Sequence, residues 1–488
     1  MLYQMLADTV QRLPSNTFME WGENTLSFQD FRHAVDRFSA TLAESGVRSG
    51  DAVILLLPNG PEFATGVFAI AKLGAIAVPL NTAFQDKELQ FYLQDSRART
   101  LVTTTDILDS HNDLIDESRD CQVITEIPVS AEPTAGEQRQ PLKGPVLYQY
   151  SSGSTGTPKR VIRSQEQLVH EANNFTATVN ISSSDRILTV VPLFHAHGFG
   201  NCLLAAARTG ATMVVLPAFK RKSALNTLAD KGITVFPGVP FMFSILADSP
   251  SIQGMPLPRL RLAFSAGAPL ARETFDNFRG KFSVPVRQLY GSTESGSVAI
   301  NTGSTDGECW SSIGTPMRNV EVRIVGENGE PVSAGESGEL VICSQALTHG
   351  YANLDEVNQE TFRDGCFWSG DVGHKDENGN IYITGRKKLF INAGGNKVDP
   401  GQVEEVIARH PAVNEVVVVG LQGQYGQEII KAAIVRNEGQ ECTAEQIREW
   451  CNGKLADFKV PRVIEFRAEI PRSPLGKILR KYLQEDVA

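Results

Sequence analysis

The chain reads as an α/β protein with more than one domain, and three observations predict this. Strand-like apolar runs recur along its length, segments with helical spacing stand between several of them, and the texture changes near Val320 and again near Lys388. At 488 residues the chain exceeds what one hydrophobic core usually serves, so two or three domains are expected.

The elements follow in order. Helical spacing predicts a helix over 28–45, and Ala52-Val-Ile-Leu-Leu-Leu reads as a buried strand. The apolar stretch 63–80 is broken by Gly66, Lys72 and Gly74, so it reads as buried globular chain and not as a membrane span. Val146-Leu-Tyr-Gln-Tyr, Ile187-Leu-Thr-Val-Val, Ala211-Thr-Met-Val-Val-Leu and Gly232-Ile-Thr-Val-Phe are further strands, with a helix over 223–231 before the last. This alternation implies largely parallel sheets.

From Val320 the runs become short and β-rich. Val320-Glu-Val-Arg-Ile-Val and Gly338-Glu-Leu-Val-Ile-Cys are joined by the turn-forming Gly326-Glu-Asn-Gly-Glu-Pro, which predicts a β subdomain over roughly 315–387. A last unit, 388–488, has its own alternation: Leu389-Phe-Ile, a Gly/Asn loop, a helix over 403–409, strands at Glu415-Val-Val-Val-Val and 429–435, a helix over 443–451 and a strand at 463–466. The expected division is 1–387 and 388–488. Only 131–144 has linker composition.

Composition excludes some functions. Lys and Arg number 46 against 56 Asp and Glu, a net charge of −10 with both signs mixed along the chain, so a basic nucleic-acid face is not expected. The first residues lack the basic start and apolar core of a secretory signal, so a cytoplasmic protein is expected. Seven scattered cysteines, never spaced as Cys-x-x-Cys, predict reduced thiols and neither a disulfide framework nor a zinc site.

The most informative segment follows the strand 146–150: Ser151-Ser-Gly-Ser-Thr-Gly-Thr-Pro-Lys159. Glycines let backbone approach phosphate oxygens, hydroxyls donate hydrogen bonds, and a lysine offsets charge. Pro158 stands where a Walker loop needs glycine, so this is a polyphosphate loop of another kind. A flexible Ser/Gly linker is the bland alternative.

Tyr150-Ser-Ser-Gly-Ser-Thr-Gly-Thr-Pro-Lys resembles the phosphate-binding signature of the adenylate-forming enzymes: acyl-CoA synthetases, aryl-CoA ligases, luciferases and the adenylation domains of peptide synthetases. Pro192-Leu-Phe-His-Ala-His-Gly, Ser265-Ala-Gly-Ala-Pro-Leu, Leu289-Tyr-Gly-Ser-Thr-Glu-Ser-Gly, Gly338-Glu-Leu, Trp368-Ser-Gly-Asp, Gly385-Arg-Lys-Lys and Pro471-Arg-Ser-Pro-Leu-Gly-Lys follow in that family's order. The resemblance implies a large N-terminal AMP-binding domain of doubly wound α/β sheets with the β subdomain, and a small mobile α+β C-terminal domain. It also implies ATP and Mg2+ as cofactors.

The site residues it implies are these. Ser151, Ser152, Gly153, Ser154, Thr155, Gly156, Thr157 and Lys159 hold phosphates, with Thr155 also catalytic. Glu294 is the magnesium ligand and a catalytic residue beside Thr293, in a segment with Gly291 and Ser292. Adenine lies against Gly267, Ala268, Pro269 and Tyr290. Asp371 accepts the ribose hydroxyls and Arg386 also contacts the ribose. Lys477, on a C-terminal loop, bridges the attacking carboxylate and the α-phosphate. A hinge falls at Lys388, and Gly394 and Gly395 let a pantetheine thiol pass. Arg160 and Gln402 depart from the family pattern, which usually has glycine and glutamate there.

His195, expected like Lys477 to be catalytic, matches the residue at the mouth of the acyl channel, and with it Phe241, Ser265, Gly267 and Val298 are expected to wall that channel. His195 and His197 without a third ligand in view are expected to be packing or gating residues, not to hold metal. The segment Phe194-His-Ala-His-Gly-Phe-Gly carries no acid to pair with a substrate ammonium, so an α-amino acid is disfavoured. The expected function is an ATP-dependent ligase forming carbon–sulfur bonds. It would activate an uncharged acyl or aryl carboxylate as acyl-AMP and pass it to coenzyme A. Loading of a trans-acting acyl or peptidyl carrier protein through its phosphopantetheine in natural-product biosynthesis, or transfer to an amine, is the alternative. Nucleotide binding without ligation is a further one. No integral membrane segment is expected, and the protein should be a monomer or homodimer.

Overall fold

The structure is a computed structural model describing residues 1–111, 121–130, 144–152, 158–249, 256–305, 309–387, 391–393, 396–422, 428–452, 454–455, 457–472 and 478–484. The chain divides into two compact units. Unit 1 comprises Met1–Ser152, Pro158–Val322 and Val341–Trp368; unit 2 comprises Gly153–Thr157, Arg323–Leu340 and Ser369–Ala488. Unit 2 therefore takes in the strands around Asp371 and Arg386, which lie on the N-terminal side of the expected boundary at 387/388.

Unit 1 holds two sheets. One has six strands in the order Gln122–Ile124, Thr100–Thr103, Ala52–Leu56, Ile76–Pro79, Pro145–Ser152 and Pro158–Ser164, parallel except for the last hairpin. The other has nine, ordered Thr315–Pro316, Gly296–Ile300, Val286–Ser292, Leu262–Ser265, Val235–Gly238, Arg186–Thr189, Thr212–Val215, Thr17–Trp21 and Asn24–Ser27. Its six strands from Val286–Ser292 to Thr17–Trp21 are parallel. The apolar runs of this part of the sequence are thus realised as parallel strands buried on both faces, which is why they lack alternation.

Helices cover the sheets. In Phe28–Glu44 the side chains of Phe28, Phe31, Val35, Phe38 and Leu42 recur at spacings of three and four and are fully buried, while Ser27 caps the first turn by accepting from the Asp30 amide at 3.0 Å. Phe31 stacks on Phe18 with centroids 4.0 Å apart and meets Phe68 edge-on, so helix, sheet and the next helix share one cluster. Each such buried ring contributes about 2–3 kcal/mol of transfer free energy. The apolar stretch 63–80 becomes the buried helix Pro61–Leu73 and the strand Ile76–Pro79, separated by Gly74 at φ 73°. Among the described residues no helix is long and apolar enough to cross a membrane.

Unit 2 has its own core. The antiparallel pair Val413–Gln422 and Glu428–Arg436 is joined in parallel by Val463–Arg467. The helix Pro400–Ala408, capped by Asp399, and the helix Ala444–Cys451, with a capping box from Thr443 and Gln446, bury Val403, Ile407 and Ile447 with Val418, Ile430 and Ile434 of that sheet.

One expectation fails. Cys343 and Cys366 are disulfide-bonded, 23 residues apart, while Cys121, Cys202, Cys309, Cys442 and Cys451 form no disulfide. Spacing along the chain could not show this, because the two residues meet only when the strands Gly338–Ser344 and Cys366–Lys375 are laid near each other, with Cα atoms 4.4 Å apart.

Candidate active site

Parallel strands put their following loops on one edge, and ligands of open α/β sheets bind at the carboxyl ends of strands. The motif segments of unit 1 all leave from such ends: 192–198 after Arg186–Thr189, 239–241 after Val235–Gly238, and 267–269 after Leu262–Ser265. Residues 293–295 form the turn after Val286–Ser292.

The phosphate segment closes a hairpin in which Ser151 pairs with Lys159 and Tyr150 with Arg160. Gly153, Ser154, Thr155, Gly156 and Thr157, together with Lys388, Gly394, Gly395 and Lys477, lie outside the described residues, and so does the side chain of Ser152. Arg160, the departure from the family pattern, is held beside the hairpin by the Asp95 carbonyl at 2.5 Å and by the Tyr148 ring.

Lys159 instead stands over the ring of Tyr351, its Nζ 4.8 Å from the centroid. The hydroxyl of the same Tyr351 donates to Glu294 Oε1 at 2.8 Å. Glu294 is buried, and its main-chain carbonyl accepts from the Thr348 amide at 2.8 Å. A lysine and a carboxylate 135 positions apart are thus placed on one aromatic side chain. Tyr351 was not legible as a site residue: it arrives through a bridge between Val161 and Tyr351 and a bond from the Ala352 amide to the Arg160 carbonyl.

Glu294 fits a magnesium ion by its chemistry. A carboxylate has about four lone-pair sites, so the Tyr351 hydroxyl, its side-chain partner among the described residues, leaves hard-oxygen capacity, and Mg2+ is usually held by one or two carboxylates plus substrate phosphates.

Tyr290 stands on Val286–Ser292, beside the strand that ends at Ser265, and the two strands pair Ser265 with Gln288. The Gln288 side chain accepts from the Leu270 amide, which ties the exposed Gly267, Ala268 and Pro269 to the Tyr290 strand. Gly267 has φ +89°, a conformation that L side chains rarely adopt. At Gly291 a Cβ would lie 2.3 Å from the Gly296 carbonyl oxygen, so only glycine permits this hairpin to close beside Ser292, Thr293 and Glu294.

The acyl candidates converge through a partly buried polar chain. His197 Nε2 donates to the Gly238 carbonyl at 3.1 Å, Asn201 Nδ2 donates to His197 Nδ1 at 3.0 Å, and Ser297 Oγ donates to Asn201 Oδ1 at 2.8 Å. These bonds fix the Nε2–H tautomer. Gly238 pairs in register with Ser265, so the chain gathers the segments of His195, Phe241, Ser265 and Val298. Val298 is fully buried and Phe241 is exposed, its ring edge-on to Phe219. His195 lies 4.5 Å from the Phe194 ring; its Nε2 and the Ser265 Oγ are buried without a hydrogen-bond partner among the described residues. Burial, and then the neighbouring His197, push the His195 imidazole down to about 4. Burial likewise lowers His197 to about 4, against the opposing pull of the Gly238 carbonyl. Both rings are neutral at pH 7, which suits an uncharged substrate body. Among the described residues no three His, Cys, Asp or Glu side chains form a metal-holding group.

In unit 2, Asp371 and Arg386 are cross-strand partners, with Arg386 Nε donating to Asp371 Oδ1 at 2.7 Å. The Ser369 hydroxyl accepts from the Asp371 amide, and Glu339 accepts from the Gly370 amide and from Lys387 Nζ. Asp371 is therefore held on the strand Cys366–Lys375 with a cation at its side.

A glycine-and-hydroxyl hairpin, a buried carboxylate and a lysine at the carboxyl edge of parallel sheets define an enzyme that handles a nucleotide. The chain belongs to the AMP-binding enzyme family: that family's model matches residues 6–352, and the AMP-binding enzyme C-terminal domain matches residues 402–477. It is 30% identical to indoleacetate–CoA ligase of Aromatoleum aromaticum, over 97% of this chain and 96% of the relative. It is also 30% identical to feruloyl-CoA synthase of an Amycolatopsis species, over 96% and 95%. Among solved structures, ATP-bound MatB from Rhodopseudomonas palustris superposes with a TM-score of 0.89 at 25% identity, covering 99% of both chains. The o-succinylbenzoate CoA synthetase of Bacillus subtilis, in complex with its acyl-adenylate, does so with 0.88 at 27% identity, covering 99% and 98%.

Proposed function

We propose that this chain is an AMP-forming acid–CoA ligase for an uncharged acyl or aryl carboxylate. The observation that carries this reading is the sharing of Tyr351 between Lys159, over its ring, and Glu294, at its hydroxyl, beside the strand that leaves the phosphate segment. In the first step a substrate carboxylate oxygen attacks the α-phosphorus of ATP, the bond to the bridging oxygen breaks, and acyl-AMP and pyrophosphate form. In the second the deprotonated thiol of coenzyme A attacks the acyl carbonyl, and AMP leaves with the bonding pair as the thioester forms.

The residues divide this work. Lys159 and the 151–157 hydroxyls and amides hold phosphate charge, and Thr155 is placed among them as a catalytic donor. Mg2+ bound with the nucleotide would neutralise phosphate charge, and Glu294 would hold it. Tyr290 offers adenine a stacking face beside Gly267, Ala268 and Pro269, while Asp371 and Arg386 take the ribose. The neutral His195 borders the acyl group. Lys477 neutralises the attacked α-phosphate, and Gly394 and Gly395 leave room for the thiol. The named activities of the relatives, on indoleacetate and ferulate, support an uncharged aryl or acyl body.

Hydroxamate trapping over a panel of fatty, aryl and amino acids tests the reading. Adenylate is expected from members of the first two classes and thioester on addition of coenzyme A. Lys477→Ala should reduce pyrophosphate exchange by orders of magnitude while thioester formation from supplied adenylate is comparatively intact. Equal losses in both half-reactions would remove Lys477 from the role, and no adenylate from any acid would overturn the ligase.

A further inference from the structure

We propose that Arg163 is a positioning residue for the magnesium–ATP site, a buried clamp that sets Glu294 from both sides; this rests on the reading of Glu294 as the metal-holding carboxylate. Arg163 lies on Pro158–Ser164, the strand that leaves the phosphate segment, and its side chain is 1% exposed. The two Nη atoms of its guanidinium meet three partners. Nη2 donates to Glu171 Oε2 at 2.7 Å and to the Ala346 carbonyl at 2.9 Å, and Nη1 donates to the Thr293 carbonyl at 3.0 Å.

Those two carbonyls belong to the two segments that determine where the Glu294 carboxylate sits. Thr293 precedes Glu294 directly. Ala346 opens the segment whose Thr348 amide bonds the Glu294 carbonyl and whose Tyr351 hydroxyl bonds the Glu294 carboxylate. The Thr348 hydroxyl also donates to the Ile162 carbonyl, one residue before Arg163, so strand and segment are tied twice.

Glu171 holds the clamp in register. It is 4% exposed, and a Cβ on Gly200 or on Gly296 would come within 2.2 and 2.3 Å of its carboxylate, so glycines on two sides enclose it. Gly296 stands two residues after Glu294, which makes the Glu171 carboxylate a wall of the same turn. A buried ion pair is weak ground for stability, because removing two charges from water offsets most of their attraction. What the planar, forked guanidinium supplies here is geometry: two main-chain carbonyls from segments 53 positions apart are fixed to one rigid group.

The test is the Mg2+ requirement of ATP binding, titrated calorimetrically on the full chain without carboxylate, so that no turnover enters. Arg163→Lys keeps the charge opposite Glu171 but cannot span both carbonyls. The double variant Arg163→Met with Glu171→Met replaces the pair by apolar chains of similar length, and thermal melting confirms that each is folded. In both, half-saturating Mg2+ is expected to rise about tenfold, as for other groups that orient a metal ligand, with metal-free ATP binding unchanged. Folded variants that keep the wild-type Mg2+ requirement, while Glu294→Gln raises it, overturn the clamp. A wild-type requirement in Glu294→Gln overturns instead the reading of Glu294 on which the clamp rests.

Discussion

His197 shows what a single residue gains from its surroundings. Half-buried, it donates to one carbonyl and accepts from Asn201, and neither bond needs a charge. Its folded pKa of about 4 lies below the ordinary histidine value near 6.5, so between these limits the unfolded chain binds more protons than the folded one. Stability therefore rises with pH through that window and is fully present above it, the contribution lost towards pH 4 being on the order of 3 kcal/mol. Urea denaturation of wild type and His197→Asn between pH 4 and 7 should show a shallower pH slope in the variant; parallel slopes would refute the assignment. The pair His195 and His197 was legible in the sequence as a short motif. Asn201 and Ser297, which fix the tautomer, were not, because Ser297 reaches Asn201 from 96 positions away.

At the scale of elements, strands and helices were legible where one physical signal dominated. Helical spacing placed 28–45 against an observed Phe28–Glu44, and the β-rich run Val320–Val325 was read with its own ends. The strand expected at 232–236 forms instead at Val235–Gly238, since Gly232 adopts φ +61° and leaves the extended region before the pairing with Leu262–Ser265 begins. The hairpin of Val286–Ser292 and Gly296–Ile300 yields a prediction of its own. Gly291→Ala must part the two strands, so a loss of roughly 2 kcal/mol in stability is expected together with weakened ATP binding, read by denaturant titration and by calorimetry. Unchanged values would show that the turn carrying Glu294 has more room than the contact implies.

Across the whole molecule, the candidate site was legible as a set of short motifs and illegible as an arrangement. Ser151, Glu294, Asp371 and their neighbours stand in contiguous words of sequence. Arg163, Glu171 and Tyr351 carry no such word, and they matter only because the fold brings Ala346 to Arg163 over 183 positions and Tyr351 to Glu294 over 57. The same holds for the one disulfide. Closing a loop of 23 residues restricts the unfolded chain, so reduction of Cys343–Cys366 is expected to lower stability by about 3 kcal/mol, measured by denaturation with and without reductant.

That bond also gives the chain a covalent signature. Thr348 and Tyr351 lie inside the ring it closes, and so does Arg363, where trypsin cuts. A digest without reductant should therefore open the ring and still deliver peptides 324–363 and 364–375 as one joined mass, which separates into two on reduction. Each of these peptides contains a single cysteine, so the joined mass can have no other source within the chain.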